Sequence, residues 1–161
     1  MNELLNKLSS YNIFNYLLPG IIFAVLTSEI IHYAMPQGNI LTEAFLFYFV
    51  GLVVSRFGSL VIEPLLKGLS FVKFARYQDF VAASKKDDQI ALLSEANNTY
   101  RTFSSLFILL LLLKLFVKIE ERCPALKEWN TTILAALLLV LFLFSYRKQT
   151  SYITQRIKAN G

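Results

Sequence analysis

The chain has 161 residues, 55% of them hydrophobic and 17% charged, with a mean hydropathy of +0.51. A soluble domain carries about a quarter charged residues, so this composition excludes an ordinary one and points to an integral membrane protein. A net charge of +5 goes with basic membrane flanks, no basic helix with interleaved stacking aromatics suggests direct nucleic-acid binding, and the single Cys123 excludes a disulfide framework or multi-cysteine metal site within the chain.

The opening MNELLNKLSSYN lacks a basic region followed by an apolar core, so no cleavable signal is expected and the first span inserts the chain. Apolar segments follow at 13–35, 44–66, 103–119 and 131–146. A hydrocarbon core of about 30 Å needs roughly 20 helical residues, which the first two segments supply and the last two approach. Pro19, Gly20, Glu29 and His32 interrupt the first, and Trp129 and Tyr146 bracket the fourth as interfacial aromatics do. His32, the single histidine, reads as interfacial.

The loop before the second segment has no Lys or Arg, whereas 67–102 has six, the tail after Tyr146 four and the loop 118–130 three. The positive-inside rule then places both termini and 67–102 in the cytoplasm. Within 67–102, Phe71, Phe74, Tyr77 and Phe80 recur at helical steps, and Ser84 to Asp87 reads as a capping box. The expected fold is all-α, with four transmembrane helices in one domain and spans two and three prolonged into a cytoplasmic helical hairpin that turns near 83–85. The four aromatics are candidate partner-binding residues; packing inside the hairpin or against headgroups is the structural alternative.

Four ionisable residues fall inside the spans: Glu29, Arg56, Glu63 and Lys114. A charge at bilayer depth costs about 2.5–3.5 kcal/mol or more, so it pairs, snorkels or lines water. Glu29 and Lys114 match in depth near the outer face and are expected to pair, with snorkelling of Lys114 as the alternative. Glu63 precedes Lys67 by four residues and reads as an ordinary helical pair. Arg56 lies near the midplane without an acid at its depth. It is embedded in a stripe of small residues, Gly51, Ser55, Gly58 and Ser59, that lets a second helix come close. That helix belongs either to the same chain, with Arg56 on backbone carbonyls, or to another copy across an oligomer interface. No catalytic constellation, cofactor motif or metal cluster is legible, so an enzyme is not expected.

The stretches YNIFNYLLPGIIF, SRFGSLVIEPLLK and SEANNTYRTF resemble small four-span proteins of bacterial anti-phage defence operons, in particular the KwaA-like membrane subunits of the Kiwa system. The resemblance implies an inner-membrane homo-oligomer, expected as a tetramer among membrane lipids. It also implies a cytoplasmic KwaB-like, DNA-binding effector as partner and a role as sensor of infection. Two other readings stand beside it. One is a small ion channel or transporter with Arg56 lining an axial path; the other is an immunity or holin-like membrane protein.

Overall fold

The computed structural model describes residues 13–31 and 38–160. Its described residues form helices only: α1 (Ile13–Ile31), α2 (Ile40–Gly68), α3 (Tyr77–Ser84), α4 (Gln89–Arg122) and α5 (Ala125–Asn160). All but α3 are long and apolar enough to cross a membrane. A helix satisfies its own backbone groups, which is what hydrocarbon demands of a spanning segment. His32 lies outside the described residues.

Local chemistry sets the ends of α2. At its start the Asn39 side chain accepts from Leu41 N at 3.1 Å, and Glu43 Oε1 accepts from Gly38 N at 2.8 Å. Two amide groups at the helix entrance are met in this way, and an acid sits in the first turn, where the dipole favours it. At its end Phe71 N donates to Leu66 O and Ser70 N to Lys67 O, both at 3.0 Å. That is a Schellman stop, with Ser70 at φ 57 in the left-handed position usually given to glycine. The stop corrects the expected symmetric hairpin. Span two is not prolonged as a helix: residues 69–76 are irregular, and only the short α3 follows.

Span three does run on. The 34 residues of α4 reach about 51 Å, well beyond a bilayer core. Asp87 Oδ1 accepts from Gln89 N at 2.9 Å at the entrance to α4, while Ser84 Oγ donates back to Phe80 O at 2.8 Å and belongs to the end of α3. The expected capping box is thus divided between two helices. Next to it, Arg76 grips Asp79 through two bonds of 2.8 and 3.0 Å. The guanidinium hydrogen-bonded to it holds the Asp79 carboxyl below its ordinary range. The 36 residues of α5 also outrun the segment expected from hydropathy, because no breaker follows Tyr146 and the helix continues through the basic tail.

The core is built by α1, α2 and α4, where Val54, Leu106 and Leu110 are buried against Ile22, Phe23, Leu26 and Phe103. The α1–α2 crossing brings backbone onto backbone: a methyl at Gly20 would strike Phe47 O, and one at Gly51 would strike Tyr16 O. By contrast, α5 meets this trio through the stack of Phe49 on Phe142 at 6.1 Å, and it meets α3 through Tyr152 on Tyr77 at 6.0 Å. Leu134, Leu137, Val140 and Phe144 of α5 are exposed, as lipid-facing side chains are in a solvent as apolar as they are.

The crossing generates a prediction. Gly51→Ala is expected to lower the thermal unfolding midpoint in detergent by the equivalent of about 1–3 kcal/mol, the usual cost of overpacking. Gly68→Ala, whose methyl meets nothing within 4 Å, serves as the control. Equal midpoints for the two variants would remove the close approach.

Candidate functional site

A polar seam runs through the contact of α1, α2 and α4. It begins at Asn15, which is 1% exposed although α1 is apolar around it. Asn15 sits in a π turn, Ile13–Leu17, that opens α1. Its amide donates to Ser55 Oγ at 3.4 Å, and its carbonyl accepts from Thr102 Oγ1 at 3.0 Å. Thr102 Oγ1 also lies 3.2 Å from Ser55 Oγ and 2.9 Å from Asn98 O. Three helices are therefore joined by one buried hydrogen-bonded node. Such nodes fix a single register, because any other leaves a polar group unmet in an apolar medium.

A second π turn, Gly58–Ile62, interrupts α2 just past this node. Glu63 N donates to Gly58 O, five residues back. Pro64 has no N–H and its ring crowds the preceding turn, so a widened turn immediately ahead of it relieves both problems. The π turn also re-aims the residues that follow it, and π turns concentrate at functional positions. Here they aim Glu63 inward, to 6% exposure.

Glu63 is the centre of the site. Lys67 Nζ meets its Oε1 at 3.0 Å, Arg101 Nη1 its Oε2 at 2.6 Å and Lys148 Nζ its Oε1 at 3.4 Å. The three cations come from α2, α4 and α5. Lys148 also donates to Ser59 O at 2.6 Å and Ser59 Oγ at 2.8 Å, so α5 is tied to the π turn itself. The Lys148 ammonium lies 5.6 Å from the Tyr152 ring, and Tyr152 stacks on Tyr77 of α3. A path of direct contacts thus leads from Glu63 through α5 to the short helix α3.

The residues expected from sequence are distributed as follows. The small-residue stripe packs against helices of its own chain. Gly51 faces Tyr16, Ser55 joins Asn15 and Thr102, Gly58 lies against Ser105, and Ser59 holds Lys148. Arg56 is half-buried and makes no hydrogen bond or ion pair with another described residue. Glu29 and Lys114 are both exposed and do not pair with each other, which corrects that expectation: neither points into the bundle. Phe71 and Phe74 are exposed, with the Lys67 ammonium 4.0 Å above the Phe74 ring, while Tyr77 and Phe80 are half-buried near α5. Among the described residues no group of three His, Cys, Asp or Glu side chains is placed to hold a metal ion.

Asn15, Arg101, Thr102 and Lys148 were missed, and Glu63 was undervalued. By position in the sequence, Arg101 and Lys148 read only as flanking charges. The signal that finds them is depth. Glu63, Arg101 and Lys148 all stand at the basic ends of their spans, and the depth matching applied to Glu29 and Lys114 would have joined them.

The chain is an all-helical membrane protein with four candidate spans, three of them locked by a polar seam. No family model, curated protein or solved structure matches it.

Removing the Glu63 charge leaves three cations facing one another. Glu63→Gln is therefore expected to destabilise the protein by about 3–5 kcal/mol in thermal unfolding, as breaking a buried pair from one side does. Adding Lys148→Met is expected to recover part of the loss, because one unbalanced charge goes with it. An unchanged midpoint in the single variant would show that the cluster does not hold the helices.

Proposed function

We propose that the chain is a non-catalytic sensor and scaffold of the bacterial inner membrane, acting in anti-phage defence and docking a cytoplasmic effector. The observation that carries this reading is the Glu63 cluster. It joins α2, α4 and α5 where the chain leaves the apolar bundle, and its contacts continue through Tyr152 to α3. A shift in the packing of the spans is thereby passed to the projecting segment. The resemblance to KwaA-like subunits supports the same reading and supplies the partner class, a KwaB-like effector. The distribution of Lys and Arg supports an orientation with both termini and the projecting segment in the cytoplasm.

Phe71 and Phe74 form the docking contact, since both are exposed next to the basic Lys73 and Arg76, whereas Tyr77 and Phe80 support it from beneath. The combined Phe71→Ser and Phe74→Ser variant, expressed with a KwaB-like effector, is expected to lose at least tenfold in effector co-purification while inserting normally. Undiminished co-purification would move the docking site elsewhere.

The functional unit in this reading is a homo-oligomer, a tetramer by the resemblance. With the α2 stripe used within the chain, the exposed apolar face of α5 is the surface that meets a second copy. Cysteines introduced at Leu137 or Val140 are expected to cross-link in native membranes. A uniformly monomeric pattern from both positions would remove the oligomer from this proposal.

A further inference from the structure

The Glu63 cluster is unbalanced. One carboxylate faces Lys67, Arg101 and Lys148, which leaves two positive charges in excess at the end of the apolar bundle. Like charges held this close repel, and a further anion relieves that repulsion.

The donors are unequally engaged. Lys148 has three acceptors for its three protons: Ser59 O, Ser59 Oγ and Glu63 Oε1. Lys67 spends one proton on Glu63 Oε1, and its side chain is 42% exposed. Arg101 gives Nη1 to Glu63 Oε2, while its buried Nε has no acceptor among the described residues. A buried donor without a protein partner is ordinarily met by water or an ion. The uncommitted donors thus belong to Lys67 and Arg101, which approach the two different oxygens of the same carboxylate.

We propose that Lys67 and Arg101 bind a phosphate-bearing anion, with Glu63 and Lys148 holding them in place. A guanidinium fork and a mobile ammonium are the pair that matches tetrahedral phosphate oxygens. Two sources share this chemistry, the headgroup of an acidic phospholipid and free inorganic phosphate. The surroundings suit the headgroup. Leu69 stands exposed just beyond Lys67, and Lys73 adds positive charge to the same short segment, Arg76 being paired with Asp79. Apolar residues interleaved with basic ones at the exit of a span are what an acidic bilayer surface attracts. The inference does not depend on the effector proposed above, and its test contains none.

The experiment uses the full chain in a non-ionic detergent. Phosphatidylglycerol, phosphatidylcholine or inorganic phosphate is added, and binding is read by native mass spectrometry and by the shift in unfolding midpoint. Phosphatidylglycerol is expected to bind at least fivefold more tightly than phosphatidylcholine. Lys67→Gln is expected to weaken that binding at least fivefold, while the combined Lys85→Gln and Lys86→Gln variant, in the turn before α4, leaves it unchanged. Lys67→Gln and Arg101→Gln each remove a Glu63 contact as well; Lys67 is the more exposed, 42% against 18%, so Lys67→Gln is the deciding variant, and its ligand-free midpoint is measured beside the wild type. Lipid binding that resists excess inorganic phosphate assigns the headgroup; a Lys67-dependent midpoint shift with phosphate alone assigns the free anion. No preference for phosphatidylglycerol together with no phosphate effect overturns the proposal. So does an equal loss in the Lys67 and the Lys85/Lys86 variants, which would reduce the effect to net charge.

Discussion

One carboxylate organises the basic end of this bundle. Glu63 is nearly buried, and a buried charge is tolerated only when its neighbours compensate it. The compensation comes from three helices at once, so none of them can slide without leaving a charge exposed to an apolar surround. Apolar packing alone cannot impose this. Between spans there is little hydrophobic drive, because lipid tails are as apolar as leucine. Specific polar contacts and close backbone approach must therefore set the arrangement.

Both devices converge on the same stretch of α2. Gly51 lets α1 come within backbone contact, Ser55 joins the Asn15–Thr102 node, and the π turn carries Ser59 and Glu63 toward α4 and α5. This one stretch of α2 therefore contacts α1, α4 and α5. Arg56, its most conspicuous residue, stands outside this network, and Glu63, its least conspicuous, carries it.

The weak attachment of α5 gives the proposed sensor its logic. The α1–α2–α4 trio has a buried core, whereas α5 is held by Lys148, by two ring stacks and by little buried surface. In that reading α5, pinned at Lys148 and held elsewhere by ring stacks and little buried surface, shifts by pivoting about that point rather than by sliding. In the proposed reading that shift reaches α3 through the Tyr77–Tyr152 stack. In the same reading the excess positive charge at the pivot makes the proposed anion the third component of the joint.

Some of this was written in the sequence. Four apolar segments, their approximate centres and the all-helical class follow from composition and run length, since hydrocarbon admits few other solutions. The small residues of α2 announced a close helix contact. What they could not announce was the partner, because a stripe of small residues has the same pattern whether it meets its own chain or another copy. The fate of 69–76 was hidden as well. Aromatic spacing there suits a helix, yet the Schellman stop at Ser70 ends α2, and no residue at that position advertised a left-handed turn. Periodicity and hydropathy are properties of one helix at a time, and they determined the spans. The Glu63 cluster joins residues 38 and 85 positions apart in the chain, so only the packing of the helices decided it.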